Sequence, residues 1–320
     1  MLVKLLEPLN VSDEVIEKLA QPIKDMGHEF QYYNTKTTDK DELVERSKDA
    51  DVIMIANNPY PKEAIDGNEK IKLINVAFTG VDHVEIKDAK NQDILISNAA
   101  GYANTAVAEL TIGLVLDLYR KITQGNEDVR EAEDFPGAIQ GKEIKGKTVG
   151  LIGTGKIGVE TAALFKAFGA NLVAADTSSV NPDAEALGVK YIPMDELLKE
   201  SDIVSLHIPL TDDTKHLLSK EKLELMKEDA ILINCARGPI VDNDALADLL
   251  NEGKIAGAGL DVFDMEPPIP GDYKILKAKN TVLTPHIGFL TDEAMVLRAE
   301  IAFDNTVNFL KGDPTNIVKK

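Results

Sequence analysis

Arg237, Glu266 and His286 are the side chains of this sequence whose types and settings could do chemistry together. Arg237 stands in Asn234-Cys235-Ala236-Arg237-Gly238, Glu266 in Phe263-Asp264-Met265-Glu266-Pro267 and His286 in Thr284-Pro285-His286-Ile287-Gly288. Each follows closely on an apolar run of strand length. A guanidinium can grip a carboxylate through two parallel hydrogen bonds. An imidazole, with an ordinary pKa of about 6.5, can deliver a proton to an oxygen near neutral pH. A carboxylate against its other ring nitrogen fixes the tautomer and favours the protonated ring. Such a set suits reduction of a keto group beside a carboxylate. Singly, each residue has a plainer reading: a surface ion-pair partner, a solvated loop acid and a packing histidine.

A second motif lifts the set above those readings. The apolar run 148–152 leads straight into Gly153-Thr154-Gly155-Lys156-Ile157-Gly158, a helical pattern follows, and the next strand pattern ends at Asp176. Gly153 permits a tight turn, Gly155 lets backbone approach a pyrophosphate, and Gly158 allows close helix–strand packing. The unpaired N–H groups and dipole of the helix start attract phosphate. Asp176 can accept hydrogen bonds from an adenosine ribose and repels the extra phosphate of NADP. Asp176-Thr177-Ser178-Ser179 offers no arginine to receive it, so NAD is expected. A glycine turn in a domain that binds no nucleotide is the plain alternative.

The elements that must position these residues read as alternating strands and helices. Apolar runs predict strands over 2–6, 30–33, 52–55, 73–78 and 94–97, with helices over 13–26 and 41–48. A long helix buried on most faces is predicted over 104–122. The polar stretch 123–147, with Gly125, Pro136, Gly137 and Gly141, reads as a loop or arm. Strands then recur at 148–152, 171–175, 203–207, 230–234, 256–262 and 281–283, with helices at 156–168, 243–251 and 292–311. This alternation argues for parallel sheets in two successive doubly wound units. In such sheets ligands bind outside the carboxyl ends of the strands, where Arg237, Glu266 and His286 fall.

The 320 residues suffice for two domains with separate cores. A net charge of −19 disfavours nucleic acid and anionic membrane as partners. No apolar run reaches the roughly 20 residues of a membrane span. The first ten residues read as a strand rather than a signal peptide. The lone Cys235 excludes an intrachain disulfide and fits a cytoplasmic location. No metal site is expected.

Seven ordered motifs carry a resemblance over nearly the whole chain: Gly80-Val81-Asp82, 98–109, 149–158, 201–209, 233–242, 259–267 and 284–288. Together they resemble the D-isomer-specific 2-hydroxyacid dehydrogenase family. The resemblance implies a Rossmann NAD domain over 100–288, inserted into a flavodoxin-like substrate domain formed by 1–99 and 289–320, with the active site in the cleft. It makes Arg237 the substrate-orienting residue, His286 the acid/base and Glu266 its partner. The Thr79 and Gly80 amides become a second carboxylate anchor, and Tyr102 a substrate contact. On the cofactor side it adds Thr105, Lys156, Ile157, Pro209, Thr214, Cys235, Ala236, Asp261 and Gly288 to the glycines and Asp176, with Arg237 and His286 bordering the nicotinamide. His207 is as readily a packing residue as a cofactor contact, and Cys235 is a wall residue. His28, His83 and His216 read as surface or packing residues. Members are typically homodimers, with 125–146 as part of the interface.

The resemblance implies exchange of hydride between NAD(H) and a small 2-keto or 2-hydroxy acid, of the hydroxypyruvate/glycerate, glyoxylate or D-lactate type. The stretch 98–102 looks closer to the glycerate/hydroxypyruvate branch. A phosphoglycerate dehydrogenase is disfavoured, because 56–61 holds no arginine for a phosphate and no regulatory extension is expected. The other rivals are an NAD(H)-sensing interaction protein of the corepressor type, and the same triad working on phosphonate or formate.

Overall fold

The computed structural model describes residues 1–131, 137–176, 180–265 and 269–318. The chain divides into two compact units, Met1–Ala103 with Phe289–Lys320, and Asn104–Gly288. Both are built on parallel sheets, as the alternation of strands and helices requires.

The first unit carries strands β1 (Leu2–Leu5), β2 (Glu29–Tyr32), β3 (Val52–Ile55), β4 (Leu73–Val76) and β5 (Leu95–Asn98), in the order β2-β1-β3-β4-β5. This is the flavodoxin-like order. β3 and β4 are buried at every position, which is why they read as continuous apolar runs rather than alternating ones. The helix Asp13–Asp25 starts at Ser12, whose hydroxyl accepts the Val15 N–H. The helix Asp292–Leu310 returns the chain to this unit. Its Ala299, Ala302, Phe303 and Val307 pack in one cluster with Val3, Leu5, Ile16 and Met54. Buried Asn75 of β4 donates to the Ala302 carbonyl at 2.5 Å and to Thr306 Oγ1 at 2.8 Å, fixing the helix against the sheet.

The second unit carries β6 (Thr148–Ile152), β7 (Asn171–Ala175), β8 (Lys190–Tyr191), β9 (Ile203–Leu206), β10 (Ile231–Asn234), β11 (Gly257–Leu260) and β12 (Thr281–Leu283). Their order, β12-β11-β10-β9-β6-β7-β8, reverses direction between β6 and β9, the switch point of a Rossmann sheet. Several elements differ from the sequence reading, among them the short helices Lys62–Asp66, Ile86–Asn91, Pro182–Ala186, Met194–Glu200 and Lys220–Leu223, which it did not predict. β8 is only two residues long, too short to show a period. The helix Ile122–Arg130 occupies the start of the stretch read as a loop. None of its residues is buried, and its only large apolar side chains, Ile122 and Val129, are exposed, so a polar composition hid it. The long helix Asn104–Arg120 stops where Lys121 turns left-handed, φ 55°, a break secured by Asp117, which accepts from the N–H and hydroxyl of Thr123. Among the described residues no helix is long and apolar enough to cross a membrane.

Candidate active site

The cofactor cradle is assembled at the end of β6. Gly153 sits at φ +97°, and a Cβ there would lie 2.5 Å from the His207 carbonyl oxygen. A Cβ on Gly158 would lie 2.4 Å from the Gly153 carbonyl oxygen, so the glycine holds helix against turn. Gly155 meets nothing within 4 Å and begins the helix Lys156–Ala167 without a side-chain cap. The backbone is therefore closed where it packs and open where a pyrophosphate must approach, with Lys156 and Ile157 in the first helical turn. These residues fit NAD(H). Thr105 lies on the neighbouring long helix and donates from its hydroxyl to Glu160 at 2.9 Å.

Asp176 follows β7. Its Oδ2 accepts from Thr154 twice, from the N–H at 2.8 Å and the hydroxyl at 2.7 Å. Thr154 is bound in turn by Tyr191 and Asn181, two residues the sequence reading did not single out. Beyond β9, His207 has its ring nitrogen Nε2 2.9 Å from Ser205 Oγ, and burial pushes its pKa down to about 4. The ring is therefore neutral at pH 7, and its main-chain carbonyl is what meets the glycine turn. The Thr214 hydroxyl donates to the Pro209 carbonyl at 2.7 Å and closes the loop after β9.

The residues expected to do chemistry leave three neighbouring strands. Arg237 follows β10, the segment 261–265 follows β11, and His286 follows β12. All lie at the carboxyl edge that also carries the glycine turn. Asn234, fully buried, brackets the first turn: its Oδ1 accepts the Ala236 N–H and its Nδ2 donates to the Arg237 carbonyl, both at 3.0 Å. Gly238 then passes so close to Phe263 that a Cβ would come within 1.9 Å of its carbonyl carbon. Asn243 Nδ2 donates to Asp264 Oδ1 at 2.9 Å, tying the start of the helix Asn243–Asn251 to the segment that leads toward residue 266. Glu266 itself lies outside the described residues, as do Thr177, Ser178 and Ser179.

His286 takes a left-handed backbone, φ 55°, in a turn organised by buried Asp261. Oδ1 of Asp261 accepts from the Thr284 hydroxyl at 2.6 Å and the Ile287 N–H at 2.8 Å, and Oδ2 from the Gly288 N–H at 2.8 Å. Burial raises the Asp261 carboxyl, against these hydrogen bonds and the charge of His286, which lower it. Burial, together with the nearby Asp261 charge, pushes the Cys235 thiol up to about 12. Cys235 is therefore no nucleophile at neutral pH. Asn234, Thr284 and Asn243 were missed as supporting residues. Only their nearness to the motifs could have hinted at them. Among the described residues no group of three or more acidic, histidine or cysteine side chains could hold a metal ion.

In the first unit, the turn after β4 carries Thr79 and Gly80. The Thr79 carbonyl accepts from Asn98 Nδ2 at 2.8 Å. Buried Tyr102 packs its ring 5.9 Å from that of Phe78. Buried Glu7, just past β1, accepts the N–H groups of Ala56 at 2.7 Å and Asn58 at 3.1 Å, in the loop that follows β3. Burial raises the Glu7 carboxyl.

The model of the D-isomer specific 2-hydroxyacid dehydrogenase NAD binding domain matches residues 112–288. A hydroxypyruvate reductase of Blautia hydrogenotrophica is 35% identical over 305 residues, covering 92% of this chain and 93% of that protein. A D-3-phosphoglycerate dehydrogenase of Methanocaldococcus jannaschii is 38% identical over 276 residues, 86% of this chain. The match spans about half, 52%, of that longer relative. Among solved structures, an acyclic imino acid reductase in complex with NADPH and D-Arg superposes with a TM-score of 0.88 at 30% identity, covering the whole of both chains.

Proposed function

Because the chain belongs to the D-isomer-specific 2-hydroxyacid dehydrogenases, which are NAD-dependent oxidoreductases, we propose that Arg237, Glu266 and His286 carry its chemistry on a small unphosphorylated 2-keto acid. The observation that carries this reading is the departure of Arg237, the segment toward 266, and His286 from adjacent strands, at the edge that holds the glycine turn. Gly153, Gly155 and Gly158 would hold NADH, which would supply the hydride that reduces the keto carbon. Arg237 holds the substrate carboxylate in a bidentate grip and so turns the keto carbon toward the cofactor. His286, protonated, delivers its proton to the keto oxygen, and in the reverse direction takes it from the hydroxyl. Glu266 keeps the role the sequence motifs give it, a carboxylate partner to His286 that favours the charged ring. Thr79 and Gly80 keep the role of second carboxylate anchor, and Tyr102 that of a substrate contact; both assignments rest on the sequence motifs.

Substrates of the hydroxypyruvate, glyoxylate or D-lactate kind fit best. A phosphorylated acid is disfavoured, because the 56–61 loop brings no arginine and is pinned by a buried acid, Glu7. Asp176 disfavours NADP, the chain works in the cytoplasm, and it pairs as a homodimer in which 125–146 takes part. A panel of keto acids with NADH, followed by loss of absorbance, tests the whole reading. His286→Ala should lower kcat by about 10²–10⁴-fold. Near-normal turnover in both His286→Ala and Arg237→Ala would end the assignment, and NADH binding without turnover on any acid would favour a sensing role.

A further inference from the structure

A nicotinamide enzyme of this fold must choose between two cofactors that differ by one phosphate. The solved imino acid reductase with the same overall fold carries NADPH. The fold therefore does not decide the choice, and the side chains at the ribose end must. Here those side chains form a directed chain of hydrogen bonds.

It starts at the Asn181 backbone N–H, which can only donate, and which donates to Tyr191 Oη at 2.9 Å. With that lone pair occupied, the single Tyr191 proton points on to Thr154 Oγ1, also at 2.9 Å. The single Thr154 proton then goes to Asp176 Oδ2 at 2.7 Å, where the Thr154 N–H donates as well at 2.8 Å. Asn181 closes the ring from the other side, its Nδ2 donating to the Thr154 carbonyl at 2.7 Å. Its Oδ1 is held by the Asp183 N–H at 2.9 Å, which fixes the amide's orientation. Thr154, the middle residue of Gly-Thr-Gly, is buried and has its N–H, carbonyl and hydroxyl all committed. Every donor in the chain faces the same way, and the end of the chain is an acceptor: a carboxylate. Hydrogen bonds aligned head to tail strengthen one another.

We propose that Tyr191, on the edge strand β8, is a positioning residue for cofactor choice. By fixing the Thr154 hydroxyl as a donor, it holds the Asp176 carboxylate in one orientation, so that the carboxylate accepts the ribose hydroxyls of NADH and repels the 2′-phosphate of NADPH. The proposal rests on the reading of Asp176 as the ribose acceptor. Without the Tyr191 hydroxyl, the Thr154 hydroxyl loses the donor that sets its direction. The carboxylate then loses definition while the glycine turn, built from backbone contacts, stays as it is.

The test is equilibrium binding of NADH and of NADPH to the purified protein, read by nicotinamide fluorescence, with thermal melts as the check on folding. In Tyr191→Phe the ratio of the two dissociation constants should move toward NADPH by roughly three- to tenfold, through weaker NADH binding. Thr154→Val should do the same, Thr154→Ser should keep the original ratio, and the Tyr191→Phe/Thr154→Val pair should add nothing to either single change. A structural role alone would weaken both cofactors alike and leave the ratio in place. If Asp176→Ala collapses the ratio while Tyr191→Phe and Thr154→Val leave it untouched, this proposal is overturned and the ribose reading stands. If Asp176→Ala also leaves the ratio in place, the ribose reading falls and this proposal falls with it.

Discussion

The backbone carbonyl of Asp261 accepts the N–H of His286 at 2.9 Å, so the histidine hangs from the end of the neighbouring strand. The Asp261 carboxylate secures the rest of that turn through Thr284, Ile287 and Gly288. A left-handed backbone at a residue with a side chain costs about 1–3 kcal/mol and persists only where its surroundings over-determine it. Here three donors converging on one buried carboxylate do so.

Asp261→Asn tests that arrangement. An amide keeps the size but turns one acceptor into a donor, which then faces the N–H of Ile287 or Gly288. The expected result is a loss of kcat of roughly 10–100-fold, equivalent to about 1.4–2.7 kcal/mol in the barrier, with a lowered Tm. Steady-state kinetics at saturating NADH and keto acid, beside a melt, decide it. Wild-type turnover would show that the turn is held by other contacts.

His207 gives a pH prediction with a definite sign. Its folded pKa of about 4 lies below the unfolded value near 6.5, so the unfolded chain binds the proton more tightly. Stability is unaffected above about pH 6.5, falls as pH drops through the window from 6.5 to 4, and levels off below it. The residue is half-buried as a whole, so the full effect of about 3 kcal/mol is an upper bound. Melts of the wild type and of His207→Asn at pH 7 and pH 5 should show a smaller drop in the variant. Equal drops would assign the acid sensitivity to other groups.

How much of this was legible in the sequence depends on the kind of signal each residue leaves. The central strands of both sheets are buried on two faces and declare themselves as apolar runs, as at 52–55 and 231–234. The glycine turn declares itself because three glycines at fixed spacing follow a strand. Tyr191 and Asn234 leave no such trace. The Tyr191 role depends on a hydrogen bond to Thr154, brought near only by the fold, while Asn234 acts within its own turn, on Ala236 and Arg237, and an isolated tyrosine or asparagine looks the same in any loop. The helix Ile122–Arg130 failed to show for the opposite reason: it buries nothing, and its only large apolar side chains, Ile122 and Val129, are too few in nine residues to set a period.

Gly155 and Gly158 should separate cofactor binding from folding. A methyl on Gly155 meets no protein atom, but Gly155 caps the start of its helix, where alanine is worse than glycine, so Gly155→Ala should cost only about 1 kcal/mol of stability yet bind NADH far less tightly. A methyl on Gly158 would press on the Gly153 carbonyl, backbone that cannot swing aside, so Gly158→Ala should lower Tm as well as affinity, at a cost of about 1–3 kcal/mol. Calorimetric titration with NADH and a thermal melt on each variant give the contrast. Unweakened NADH binding by Gly155→Ala would remove the pyrophosphate from that spot.

Asn234→Ala should act on substrate binding through Arg237. The asparagine spans both sides of the turn, and its loss leaves the Ala236 N–H and the Arg237 carbonyl without that partner. A guanidinium gripping a carboxylate with two bonds tolerates little misplacement, so KM for the keto acid should rise by roughly tenfold or more, with KM for NADH less affected. A rise confined to KM for NADH would place Asn234 on the cofactor side instead.

Glu7 bears on the identity of the acid. It sits at the end of β1, buried, with its Oε1 on the amides of Ala56 and Asn58, in the loop where a phosphate-binding arginine would be needed. Two like charges about 8 Å apart repel by roughly 2 kcal/mol at an effective dielectric of 20. The protein should therefore prefer hydroxypyruvate to its 3-phosphorylated form, and the preference should sharpen with rising pH as the Glu7 carboxyl, raised by burial, ionises. Glu7→Gln keeps a carbonyl oxygen for the two amides and removes the charge, so it should lessen that pH dependence to the part that the phosphate's own ionisation at about pH 6 supplies. The ratio of kcat/KM for the two acids across pH 5–8, in the wild type and the variant, is the measurement. A ratio that does not change with pH in the wild type would mean that Glu7 holds the loop and leaves the choice of acid to other residues.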